Sequence, residues 1–211
     1  MPEKLYKVLK RNDKGHLVSC NGGSQVWTTG VRVEAHDGGP LVPCKNGIHA
    51  CREQNLIHWL DEVICPVVDA SKERIVHNDK VVLRWAVIGA PLPTWNERTA
   101  RLFACDCAEW ALSLLDKPDA PSIEAVRVAR LFAIGEATCD ELAAAGSAAR
   151  AAAGSAAWYA AWDAAGSAAG YAARAAAGDV AWYAAWYAAG DAAGDAAWAY
   201  MTERLMEYLN A

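Results

Sequence analysis

The stretch CKNGIHAC, Cys44 to Cys51, gathers two thiols and an imidazole. Two chemistries use such a set. Zinc takes four N or S ligands in a tetrahedron. Cys44, His49 and Cys51 supply three, and Cys20 or Cys65 can complete them. The spacing is not that of paired C-x-x-C knuckles. Nucleophilic catalysis needs a thiolate beside a base, and on a strand His49 and Cys51 share a face. A plainer reading makes both cysteines buried small hydrophobes, with His49 bonded to a neighbouring carbonyl. No complete catalytic set accompanies the motif, so the expectation leans away from an enzyme. No cofactor is expected, with zinc the exception the motif allows.

Other candidates lie further along. Cys105 and Cys107 sit two apart in a helical stretch and do not converge on one ligand. Beyond Ala143 the chain runs in tetrads such as SAAW, YAAW and DAAG, up to Trp198. Arg150 and Arg174 occupy equivalent points of two repeats. They can pair with Asp163 or bind an anion such as phosphate. Trp158, Trp162, Trp182 and Trp186 recur at helical spacing. They fill helix interfaces, or they stack a flat, nucleotide-like ligand.

The net charge of −5 gives no basic footprint for nucleic acid. The Ala-rich tail is cut by charged residues and lacks strongly apolar runs, so no membrane span is expected. The start lacks an apolar h-region, so no secretory leader is expected. Seven scattered cysteines read as reduced thiols in a cytoplasm.

These residues are expected on an α+β chain. Residues 1–90 read as a small mixed α/β domain. Its strands are LYKVLK, QVWTTGVRVEA, VICPVVDA and KVVLRWAVIG, with LVPCKNGIHAC a strand–turn–strand about Asn46-Gly47. EQNLIHWLDEV reads as a short helix with Leu56, Ile57, Trp59 and Leu60 on one side. Residues 94–211 read as an all-helical, Ala-rich bundle with tetrapeptide repeats over 143–198. Thr94 and Glu97 form one capping box, and Thr138 and Glu141 a second. Phe103, Cys107, Trp110, Ala111 and Leu114 make an amphipathic face. Pro121 opens the next helix and Gly135 ends it. In the repeats, Gly-Ser and Gly-Asp read as a stop followed by a restart, giving short helices. Small-residue faces of this kind also suit a homo-oligomer.

The segment RTARLFACDCAEWALSLLDKPDAPSIEAVRVARLFAIGEATCDELAAAG resembles the bacterial and phage "immunity protein" family. That family shares R-x-x-RLFA-x-x-CA, AVxxARxFA-x-GEAT-x-x-EL and a tail of AAW, AAR and AAG tetrads. The resemblance spans about Thr94 to Ala211. The first 90 residues resemble a phage and prophage domain of unknown function. The residues that carry it are YKVLK, Gly22-Gly23, C-x-x-G-x-H-x-C at Cys44 to Cys51, and Asp79-Lys80. Neither family supplies an activity. The resemblance implies a protein that binds a protein partner in a toxin-immunity, defence or anti-defence setting. The alternative is a protein that sequesters a small nucleotide signal.

Overall fold

A computed structural model of the chain describes residues 3–20, 25–36, 38–114, 117–118, 120–152 and 194–211. The chain divides into two units, Met1–Pro93 and Thr94–Ala211.

In the first unit, short runs rich in β-branched residues become strands. They are β1 (Leu5–Arg11), β2 (Leu17–Ser19), β3 (Val26–Trp27), β4 (Arg32–Glu34), β5 (Ile48–Arg52), β6 (Val63–Ala70), β7 (Arg74–Val76), β8 (Val81–Leu83) and β9 (Trp85–Ile88). The order is β4-β9-β6-β1-β5-β8-β7, with β2 beside β1 and β3 beside β2. β6 and β7 form one arm of a long antiparallel hairpin, and β8 and β9 the other. Val76 pairs with Val81 near its tip and Ala70 with Ala86 further down. β1 pairs with β6, placing Lys7 opposite Cys65. It also pairs with β5, and β5 pairs with β8. Only Arg84 separates β8 from β9, so the hydrogen-bonded path closes on itself.

The buried cluster alternates along these strands, as a period of two requires. It holds Leu5 and Leu9, Ile48 and Ala50, Val63 and Cys65, Val81 and Leu83, and Ala86 and Ile88, with Trp27 and Val33. Each fully buried aliphatic side chain contributes about 1.5–3 kcal/mol.

The expectation of a mixed α/β domain is overturned. The strands form one antiparallel sheet, and no α-helix occurs among the described residues of this unit. EQNLIHWLDEV makes only a 3-10 turn over Glu53–His58. Leu56 and Ile57 are adjacent and both fully buried, which suits a tight turn enclosed on two sides better than one stripe of an α-helix. LVPCKNGIHAC also differs, because only its second arm is a strand.

In the second unit the described residues form four α-helices. They are α1 (Glu97–Ser113), α2 (Ala120–Ile134), α3 (Cys139–Ala152) and α4 (Gly194–Asn210). α1 is buried along most of its middle, including Phe103, Ala104, Cys105, Asp106, Cys107 and Ala108. It packs against both α2 and α4. α4 buries Ala197, Met201, Leu205 and Leu209, a stripe at spacing four. Phe103 meets Trp95 and Tyr208 edge-on, and Trp110 stacks on Tyr200.

The caps agree in part with the sequence reading. Thr138 and Glu141 bond reciprocally at the start of α3. α2 ends at Gly135, φ 83. There Glu136 N–H reaches Leu131 O and Gly135 N–H reaches Phe132 O, a Schellman pattern. The first box is displaced. Asn96, not Thr94, caps α1, with Thr99 returning the bond. Thr94 instead donates its hydroxyl to the Leu209 carbonyl.

The bundle of short repeated helices is not shown. Residues 153–193 lie outside the described residues, and α3 runs unbroken through Gly146-Ser147. Ser147 there donates its hydroxyl to the Ala143 carbonyl instead of capping a new helix. No helix among the described residues is long and apolar enough to cross a membrane.

Candidate functional site

The motif Cys44–Cys51 is built around a tight loop. Val42 N–H bonds Asn46 O and Asn46 N–H bonds Val42 O, both at 2.8 Å. Cys44 closes the loop with a left-handed φ of 62. That turn aims the Cys44 N–H at His49 Nε2, 3.1 Å away. His49 thus accepts from a backbone amide, and does not donate to a carbonyl as the sequence suggested. Its other nitrogen, Nδ1, must carry the proton of the neutral ring. Burial, with help from Lys7 and Lys80, holds the ring's pKa down at about 4.

The thiols are pushed the other way. Burial raises Cys51 to about 12, Cys20 to about 12 and Cys65 to about 11. Cys44 is exposed, while Cys51 is buried. The loop brings Cys44 to His49 through its backbone, and the thiols are not drawn into a thiolate–imidazole pair. Among the described residues no group of three or more His, Cys, Asp or Glu can hold a metal ion.

A pH effect follows. Unfolded His49 titrates near 6.5 and folded His49 near 4. Between those values the unfolded chain binds more protons, so stability falls as pH drops from about 6.5 toward 4. The shift corresponds to about 3 kcal/mol, which the ring's partial exposure reduces to about 1–2 kcal/mol. His49→Gln keeps an acceptor for the Cys44 amide. Urea midpoints at pH 7 and pH 5 should fall further in the wild-type chain than in this variant.

Lys7 is the residue the sequence reading missed. It lies on β1 between Leu5 and Leu9, on the face that points inward, and is only 8% exposed. Its ammonium donates to the His49 carbonyl at 2.8 Å and lies over the Trp27 ring, 5.2 Å from its centre. Among the described residues no carboxylate forms an ion pair with it. Burial pulls its pKa below the ordinary lysine range, against a smaller opposing pull from Cys51 and Cys20. The signal was present in LYKVLK. Strict alternation puts Lys7, not Tyr6, between the two leucines.

The tip of the β7–β8 hairpin brings a second lysine. Arg52 donates to the carbonyls of His77 and Asn78, at 2.6 and 3.0 Å. Asn55 donates to Asn78 O, and Trp59 Nε1 to Asp79 O. This clamp holds Lys80 over the Trp59 ring at 4.9 Å and beside Asp79 at 3.2 Å. Arg32 likewise covers the Trp85 ring. Each of Trp27, Trp59 and Trp85 therefore faces a cation, and Lys80 and Arg32 also pair with Asp79 and Glu34.

In the second unit the polar centre is Asp106, between the two cysteines of CDC. Its side chain is 7% exposed. It accepts from Arg130 at 2.7 Å, Arg204 at 2.6 Å and the Tyr208 hydroxyl at 2.7 Å. α1, α2 and α4 are thereby tied to one carboxylate. Burial opposes the Arg130 charge, yet its bonds to Glu109 and Asp106 outweigh that and raise its pKa. Burial raises the Cys105 thiol to about 12 and also raises Cys107.

Of the expected ligand-binding residues, Arg150 falls within α3, where the backbone alone is described. Arg174, Trp158, Trp162, Trp182 and Trp186 lie outside the described residues. Comparison of the chain with protein-family models, with curated proteins and with solved structures found no match in any of the three.

Proposed function

We propose that the chain is a non-catalytic binding protein that engages a protein partner in a fixed ratio. The setting is that of toxin immunity, defence or anti-defence, as the sequence resemblance implies. The observation that carries this reading is the state of CKNGIHAC. His49 spends its acceptor nitrogen on the Cys44 amide, and the Cys51 thiol is held at about 12. Nucleophilic catalysis needs the opposite arrangement, a depressed thiol beside an available base. The motif thus supports a shaped loop over a reactive centre. All seven cysteines are free, which fits a reducing compartment.

A second reading, a binder of a small anionic, nucleotide-like ligand, is favoured by one observation. Lys7 is a buried cation with an indole face and a carbonyl as its partners. Isolation of the chain from its own host cells separates the two readings. A second polypeptide in a fixed integer ratio supports the first, and a retained small molecule supports the second.

A further inference from the structure

We propose that the open edge of β4 is a self-pairing surface, where a second copy of this chain adds its own β4 antiparallel about Val33. The inference goes beyond the partner-binding reading and stands without it. The first support is the state of the edge. Among the described residues β4 pairs with β9 on one side and with no strand on the other. Its register sets Arg32 against Val87, Val33 against Ala86 and Glu34 against Trp85. Ala35 N–H bonds Arg84 O, and Trp85 O accepts from Ser71 N–H on the β6 side of β9. Bonded and non-bonded pairs alternate along an antiparallel ladder. Val33 therefore spends its backbone groups on Ala86, and those of Arg32 and Glu34 point to the open edge.

The second is charge. Opposite charges stand on either side of Val33, in Val31-Arg32-Val33-Glu34-Ala35. A two-fold axis at Val33 sets Arg32 opposite Glu34 of the second copy, and Glu34 opposite Arg32 of that copy. These are the same positions whose backbone groups face outward, so ion pairs and backbone bonds form in one register. Both side chains are exposed. They lie on one face, where they pair at 2.8 Å within the chain, and the Trp85 ring holds Arg32 in place at 4.1 Å. The third is apolar surface. Val31 is 51% exposed, and the same axis sets it opposite Ala35 of the second copy. The opposite end of the sheet order lacks this match. Pairing of β7 about Ile75 would set Arg74 against Val76, and Arg74 is already tied to Glu3.

Sedimentation equilibrium of the full chain tests the surface. The expected result is a monomer–dimer equilibrium, with a Kd between about 1 µM and 1 mM for so small an interface. Arg32→Glu sets like charges opposite each other on both sides of the axis. It should raise the Kd about ten- to hundredfold while circular dichroism stays native. Glu34→Arg should do the same. Mixed in equal amounts, the two variants should associate with each other as the wild-type chain does with itself, since each supplies the charge the other lacks. The double variant, Arg32→Glu with Glu34→Arg, keeps the match within one chain and should dimerise alone. A chain that stays monomeric up to about 1 mM overturns the proposal. So does a dimer that both single variants retain, because it uses another surface. So does a mixture of the single variants that associates no better than either alone. A chain that captures a foreign polypeptide yet does not self-associate also overturns it, while the partner-binding reading stands.

Discussion

Asp106→Ala should lower the stability of the second unit by about 3–5 kcal/mol, the usual result of removing one partner from a buried ion pair. The carboxylate accepts three bonds from two helices and leaves them facing an apolar gap when removed. Arg130 and Arg204 each keep a surface partner, Glu109 and Glu207 respectively, which places the loss toward the lower end of the range. Those surface pairs provide the control. Glu109→Gln and Glu207→Gln should each cost less than about 1 kcal/mol. Urea unfolding followed by helical circular dichroism reads all three. If Asp106→Ala unfolds at the wild-type midpoint, then α4 is not held on α1 through this carboxylate.

Gly47→Ala should destabilise the first unit by about 2–5 kcal/mol, from backbone strain and overpacking together. Gly47 has φ 147, and a Cβ there would stand 2.3 Å from Val82 Cγ1. Val82 is fully buried, so it has little room to turn aside. The residue joins the Cys44 loop to β5, and its displacement would also disturb the Cys44–His49 bond. Gly135→Ala is the comparison, since φ is 83 there but a Cβ would meet nothing within 4 Å. It should cost about 1–2 kcal/mol, the penalty of a left-handed backbone alone. Equal losses in the two variants would show that packing against Val82 does not constrain the loop.

Local signals were legible where one residue type has one structural use. Gly135 ends α2, and Thr138 with Glu141 starts α3, as capping chemistry requires. Thr94 misled because Asn96 stands two residues on and is at least as good a cap. The all-antiparallel character of the first unit was hidden in strands of two and three residues, such as VW and LVS. These are too short to show a period of two. The Gly-Ser restart failed at Gly146-Ser147 because alanine neighbours keep the helix favourable across one glycine.

At the candidate site, the sequence showed side chains but not the backbone bond that ties Cys44 to His49. CKNGIHAC lists side chains, but Cys44 acts through its backbone, and only the left-handed turn reveals that. Lys7 and Asp106 are each a single charge inside an apolar stretch. Such a charge is easily passed over beside more conspicuous cysteines.

The central claim is that the chain works by holding a partner and not by turning over a substrate. Native mass spectrometry of the chain isolated from its host cells, set against the same sample denatured, tests it most directly. The account predicts a complex with a second polypeptide in one integer ratio, which dissociates to the unmodified chain mass on denaturation. The bare chain mass in the native spectrum would contradict it. So would a chain carrying one zinc ion that is lost in both Cys44→Ser and His49→Gln, since that result would make CKNGIHAC a metal centre.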